Sequence, residues 1–214
     1  QGQLQADKTR ALLASGPYPC RNIDQNMADL SAQIAANATG AAELSKVVSQ
    51  YSLDVVHAYM KHVQDNAEES VRRVIAVLKD SHFTYPLDSG AQIKVQISVD
   101  KKARSALIDF TGTSPQDPLN YNAPLAVCRA VVLYVFRTLV GSDIPMNEGC
   151  MKPIELLVSK GSMIHPAYPA AVISGNTEVS QAVADTLFGA LGVLAGSQGT
   201  MNNFVYGNET YQNY

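Results

Sequence analysis

Two hydrophobic periods run along this chain, and the change between them divides it. From Asp24 to Gln50, apolar or small residues recur at Met27, Leu30, Ile34, Ala38, Ala41, Leu44 and Val48. Spacings of three and four predict a helix. Gly40 lies inside it and weakens it by about 1 kcal/mol relative to alanine. "YSLD" supplies a turn, with Asp54 as the cap of a second helix. The apolar face of that helix reads Val56, Tyr59, Val63, Ala67, Val71, Val74 and Leu78. Two long helices with a short link predict an antiparallel helical hairpin.

At Asp80 the pattern changes, and "IKVQISV" alternates with a period of two. Ile93, Val95, Ile97 and Val99 share one face, "DKKA" turns the chain, and "RSALIDFTG" brings Ala106, Ile108 and Phe110 into a second strand. This is a β-hairpin with one buried face. "TGTSPQDPLNYNAP" is a loop by its Pro, Gly, Asn and Asp content. The apolar run 123–140 predicts a buried helix that begins near Pro124. Arg129 and Arg137 lie inside that run and argue against a membrane span. "KPIELLV" reads as a strand, and Pro166 and Pro169 hold an extended segment that feeds "AAVIS". A last helix starts near Thr177, with Glu178 in its first turn, where the helix dipole favours an acid. Val179, Val183, Leu187, Leu191 and Leu194 form its stripe. Gly189, Gly192 and Gly196 lie on another face and predict close approach of a second backbone. The expected fold class is α+β. A long antiparallel helical hairpin occupies residues 1–80, and residues 81–214 form a β-hairpin or mixed sheet packed with buried helices.

Composition narrows the setting. Charged residues are 16% of the 214, against about 25% in an ordinary soluble domain, while apolar residues are 46%. A surface covered in part by other protein, in an oligomer, accounts for that. The net charge of −3, with no basic stripe, excludes a nucleic-acid binder. Cys20, Cys128 and Cys150 are widely spaced and odd in number, which fits a reducing, cytoplasmic compartment without a disulfide framework. No signal peptide or lipid anchor motif is evident, and no membrane association is expected.

Candidate chemistry is sparse. His57 and His62 are five apart in a predicted helix and so face different ways, and no metal-ligand spacing occurs. No metal site is expected in this chain. No nucleophile elbow is present, and Cys128 falls within the buried helix. "FTGTSPQ" follows a strand but lacks the lysine and helix of a phosphate loop. Three polar clusters remain: "NYNAP" at 120–124, "GNTEVSQ" at 175–181 and "SQGTMNN" at 197–203. The first two lie at predicted helix starts, whose open N–H groups attract carbonyl oxygens or anions. Ordinary capping explains them, and so does a ligand site. The amide density of the last two exceeds what capping needs. A helix from Glu178 to Ala195 would span about 25 Å, so both its ends cannot touch one small molecule. The helix starts near Asn122 and Asn176 converge more easily.

"NAPLAVCRAVVLYVFRTLVGSDIPMNEGCMKPIELLV", "PAAVISGNTEVSQAVADTLFGAL" and "SQGTMNNFVYG" resemble the B-type half of the hydantoinase/5-oxoprolinase family. So do "RNIDQNMADLSAQIAAN", "YMKHVQDNAEESVRRVI" and "IDFTGTSPQ", so the likeness covers almost the whole chain. Ile23-Asp24 stands where the family pattern has proline. The resemblance implies an inner portion of a larger B-type domain and a partner A-type, nucleotide-binding half, fused or separate. It implies ATP and Mg as cofactors, held by that A-type half and not by these residues. The histidine and aspartate metal ligands of carboxylase relatives lie further upstream and have no counterpart here. A chain of this extent is expected to be inactive alone.

The implied reaction is ATP-driven hydrolysis of a cyclic amide, with 5-oxo-L-proline giving L-glutamate, ADP and phosphate. A lactam carbonyl is a poor electrophile, and phosphorylation of the amide oxygen makes it a leaving group. The site then needs oriented neutral donors shielded from water. Residue chemistry nominates Asn122, Asn176 and Thr177 to hold the small cyclic amide, with Gln198, Thr200 and Asn202 as a second wall. Glu178 or Asp185 would orient the water; Glu178 also serves the helix dipole. A hydantoinase B, an acetone-carboxylase-type subunit, and a structural or assembly portion without activity are the alternatives.

Overall fold

The helical period from Asp24 folds as expected, among five α-helices and four strands in the described residues. The structure, a computed structural model, describes residues 2–196 and 207–210. Helix α1 is Ala6–Leu13, α2 is Ile23–Tyr51 and α3 is Leu53–Val77. Strands β1 (Ser81–Pro86), β2 (Gln92–Asp100) and β3 (Ser105–Asp109) follow, then α4 (Leu125–Thr138), β4 (Ile154–Leu157) and α5 (Glu178–Leu191). Short 3₁₀ turns occupy Glu148–Met151 and Ile173–Asn176. The fold is α+β. No helix among the described residues is long and apolar enough to cross a membrane.

The chain packs as two units, Gln1–Met60 and Lys61–Tyr214. In the first, the Asn22 side chain accepts from the Gln25 N–H at 3.1 Å and caps α2. Ser52 links α2 to α3 with a φ of 73°, in the left-handed region. Helix α3 begins at Leu53, so Asp54 lies in its first turn and is not its cap. Met27 and Val56 are buried here, while Ile34, Leu44, Val47, Tyr51, Val55 and Tyr59 stay exposed. Helix α1 was not anticipated. None of its residues is buried, so it carries no apolar stripe to read.

In the second unit a four-stranded mixed sheet has the order β1-β2-β3-β4. The pairs β1/β2 and β2/β3 are antiparallel, and β3/β4 is parallel with α4 in the crossover. Register sets the core face: Ile97 pairs with Ile108, and Phe83 with Val95. Ile93, Val95, Ile97, Ile108 and Phe110 are all but fully buried. They join Ala67, Val71 and Ile75 of α3, Cys128, Val132, Val135 and Phe136 of α4, and Val179, Val183 and Leu187 of α5. Each large side chain so buried contributes about 1.5–3 kcal/mol. Burial also pushes the Cys128 thiol up to about 12, so it serves as core. Strand β1 escaped sequence reading. It is an edge strand ending at Pro86, where a missing N–H is tolerated.

Side chains fasten α3 to the sheet. Arg104, in the β2–β3 turn with a φ of 52°, donates two bonds of 2.9 Å to the Glu69 carboxylate. These bonds pull the Glu69 carboxyl from 4.5 down to about 2. Lys101 donates through Nζ to the Ala76 carbonyl at 2.8 Å and to that of Leu78, satisfying open acceptors at the C-terminal end of α3. A methyl group at Gly149 would overlap the Gln64 carbonyl oxygen, so the 3₁₀ turn reaches α3 only through glycine.

Two expectations for α5 are corrected. The helix stops at Leu191 because Gly192 adopts the left-handed conformation, φ 65°, as its C-cap. Leu194 and Gly196 therefore lie beyond it. Gly189 does face a close neighbour, but the neighbour is the Phe83 ring, 2.9 Å from where a Cβ would be, not a second backbone.

Candidate functional site at the starts of α4 and α5

Strand β3 leaves the sheet through "FTGTSPQ", and hydrogen bonds sew this turn to β2. Thr113 Oγ1 accepts the Lys94 N–H at 3.1 Å and donates to the Lys94 carbonyl at 3.2 Å. The Thr111 N–H donates to Asp109 Oδ1 at 2.8 Å, and the Ser114 N–H to the Gln92 carbonyl at 2.9 Å. These donors serve the sheet. Together with the lack of a lysine after the turn, this means the segment does not fit a nucleotide phosphate. Among the described residues there is also no group of three or more His, Cys, Asp or Glu side chains able to hold a metal.

The loop then folds around Asn122, which is fully buried. Its Oδ1 accepts the Asp117 N–H at 2.7 Å, and its Nδ2 donates to the carbonyls of Asp117 at 3.0 Å and Ala171 at 2.9 Å. Gln116 Oε1 accepts the Ala167 N–H at 2.8 Å, a second tie to the same strip. Pro124 occupies the N-cap position of α4 and gives no side-chain cap. Asn122, expected to hold substrate, has both ends of its amide engaged with backbone. Its part is to position the loop.

The start of α5 lies against this loop. A methyl at Gly175 would come 3.0 Å from the Asn122 carbonyl oxygen and 3.1 Å from the Ala123 Cα, so a side chain there would push the loop back by a few tenths of an ångström. The Ser174 N–H donates to the Asn120 carbonyl at 3.3 Å. The two helix starts therefore converge. Thr177 is the N-cap of α5, but its hydroxyl donates to the Glu178 carboxylate and accepts no helix N–H. The Ser180 hydroxyl donates to the Thr177 carbonyl at 3.0 Å. Asp185 is 5% exposed and accepts from Gln181 Nε2 at 3.4 Å.

Helices α4 and α5 pack side by side, and between them runs a groove of about 440 Å³. Ala126, Val127, Ala130, Val131 and Tyr134 line it from α4, and Asn176, Ser180, Gln181 and Ala184 from the α5 side. Every lining side chain is uncharged. Of the nominated residues, Asn176 reaches this groove, with Thr177 and Glu178 next to it in sequence. Asp185 is held by Gln181, which does line it. Gln198, Thr200 and Asn202 lie outside the described residues. Ser180 and Gln181 belong to the polar cluster 175–181 without having been nominated singly, and Tyr134 was missed, although Ala126–Ala130–Tyr134 and Ser180–Ala184 repeat at four residues, the spacing of one helix face.

Known proteins share this sequence and fold. A model of the family described as Hydantoinase B/oxoprolinase matches residues 1–214. The 5-oxoprolinase of Dictyostelium discoideum is 38% identical over 203 residues, covering 91% of this chain and 16% of that protein. The 5-oxoprolinase 1 of Arabidopsis thaliana is 39% identical over 213 residues, covering 91% of this chain and 17% of that protein. The chain thus spans about a sixth of the length of these curated relatives. The crystal structure of an ATP-dependent caprolactamase from Pseudomonas jessenii superposes with a TM-score of 0.67 at 20% identity, over 89% of this chain and 34% of that one, a likeness of fold. A match along the full length, residues 1–214, makes this chain a member of the hydantoinase B/oxoprolinase family.

Proposed function

We propose that this chain is part of an ATP-dependent cyclic amide hydrolase of the 5-oxoprolinase type, which converts 5-oxo-L-proline, ATP and water to L-glutamate, ADP and phosphate. The observation that carries the reading is 38% identity to a 5-oxoprolinase over 91% of the chain. The regions 1–80 and 81–214 are then continuous parts of one B-type domain in the cytoplasm. The nucleotide and its Mg would be held by an A-type half, as membership of the family implies. The low charged fraction, 16%, suits a surface shared with that half and with further copies.

This chain's own residues hold the cyclic amide and keep bulk water from it. Asn176 faces the amide with a neutral donor, which needs no counter-charge when water is excluded, and Thr177, whose hydroxyl donates to Glu178, accepts from the amide N–H. Asp185 orients the attacking water, its carboxylate steadied by Gln181. Glu178, bonded by the Thr177 hydroxyl, is the alternative for that role. Gln198, Thr200 and Asn202, nominated from residue chemistry for a second wall, lie outside the described residues. Asn122 positions both helix starts without touching substrate.

The full-length protein, assayed with ATP against 5-oxoproline and against hydantoin, tests the reading. Phosphate release matched by glutamate formation with 5-oxoproline, and little with hydantoin, is the expected result. Coupled release with hydantoin alone would replace it with a hydantoinase.

A further inference from the structure

Helices α4 and α5 face each other through rows of short side chains. Ala126 and Ala130 lie one turn apart on α4, and Ser180 and Ala184 one turn apart on α5. Residues at this spacing stack along one face. Short side chains on both rows leave the space that longer ones would fill, and the result is the groove of about 440 Å³. Small-molecule sites fall at about 300–1,000 Å³. Asn176, Ser180 and Gln181 line its α5 side, opposite a wall of alanine and valine that ends at Tyr134.

We propose that this groove binds the ring of a small cyclic amide, its methylene carbons against Ala126, Ala130 and Ala184 and its amide edge toward Asn176 and Gln181. The proposal rests on the reading of the chain as part of a cyclic amide hydrolase. A lactam carries one N–H donor and one carbonyl acceptor on adjacent atoms, and a carboxamide side chain presents the complementary pair. Asp185 accepts from Gln181 Nε2 and so fixes which way that carboxamide turns. A phosphate or other fully ionic ligand would lose its hydration here without meeting a counter-ion, because every lining side chain is uncharged. A carboxylate borne on the ring would point out of the groove toward solvent, since the first turn of α5 already carries the Glu178 carboxylate. Ala130 then limits ring size, and Gln181 orients the amide. Neither role is assigned by the sequence pattern.

Ala130 is exposed, and leucine is nearly as good a helix former, so Ala130→Leu fills the groove without entering the core. In the full-length enzyme we expect Ala130→Leu to raise KM for 5-oxoproline at least tenfold, in line with the ~10–200-fold that one methylene mismatch is worth in a pocket. KM for ATP stays within twofold, and the thermal midpoint is unchanged. Gln181→Ala should lower kcat/KM for 5-oxoproline by a comparable factor. A 5-oxoproline KM within twofold of wild type in Ala130→Leu overturns the proposal, as does an altered oligomeric state with unchanged KM, which would mark the groove as a protein contact. Failure of the wild type to couple ATP to any lactam overturns the reaction alone. Calorimetric titration of wild type and Ala130→Leu with 5-oxoproline and 2-pyrrolidone then decides the groove. Binding lost in the variant upholds it, and equal or absent binding in both overturns it.

Discussion

The Asn122 carboxamide donates to the Ala171 carbonyl oxygen at 2.9 Å, joining the residue ahead of α4 to the strip that feeds α5. This one bond bridges 49 positions of sequence, and two further bonds to Asp117 close the loop around it. Groove, helix starts and nominated side chains all depend on that junction.

The first prediction follows from it. Asn122→Ala removes the partner of one buried N–H and of two carbonyls. Each buried polar group left unsatisfied costs about 1–3 kcal/mol, and some recover water. We expect a loss of about 2–3 kcal/mol in urea unfolding, together with a weaker substrate KM through the displaced α5 start. Asn122→Asp should also destabilise, since a carboxylate cannot donate to Ala171. A loss below about 0.5 kcal/mol would remove the junction from the account.

The same junction shows what sequence makes legible. Helices α3, α4 and α5 and the β2–β3 hairpin were readable because each buries one face and so repeats at its own period, while α2 keeps the helical period with Met27 as its one buried residue. Helix α1 buries nothing and leaves no such trace. Strand β1 is short and ends in proline, and its pairing with β2 is a matter of register, not of local pattern. Asn122 was recognisable as an amide near a helix start, but its acceptor is a carbonyl that only folding brings near. The groove is the product of two helices facing each other, so neither helix announces it alone. Asn176 was nominated because it also lies at a helix start; Gln181, in the same polar cluster, was not nominated singly, because its place facing α4 is set only by packing.

Two glycines separate close approach from tolerance. At Gly149 a Cβ would overlap the Gln64 backbone, which cannot move without shifting α3. Gly149→Ala should therefore destabilise by at least ~2 kcal/mol, at the upper part of the range for overpacking. At Gly189 the neighbour is the Phe83 ring, a side chain 37% exposed and free to swing outward. Alanine there also gains up to about 1 kcal/mol of helix propensity. Gly189→Ala should thus fall within about 1 kcal/mol of wild type by urea unfolding. Equal losses at both positions would contradict the packing.

The Glu69–Arg104 pair sets an acid limb of stability. Two hydrogen bonds from Arg104, joined by one from Arg73, lower the Glu69 carboxyl from 4.5 to about 2 in the folded chain. A carboxylate whose folded value is depressed binds protons more readily when unfolded. Its contribution is therefore complete above pH 4.5 and is lost as pH falls toward 2. The carboxyls of Glu68, bonded by Arg72, and Asp65, bonded by Lys61, are lowered too and act in the same direction. Arg104→Gln removes the ion pair while keeping a donor. Its thermal midpoint should lie below that of wild type at pH 7, and the gap should narrow steadily between pH 4.5 and pH 2. A gap that stays constant across that window would mean that Arg104 acts through packing of the β2–β3 turn, with no share in holding the Glu69 charge.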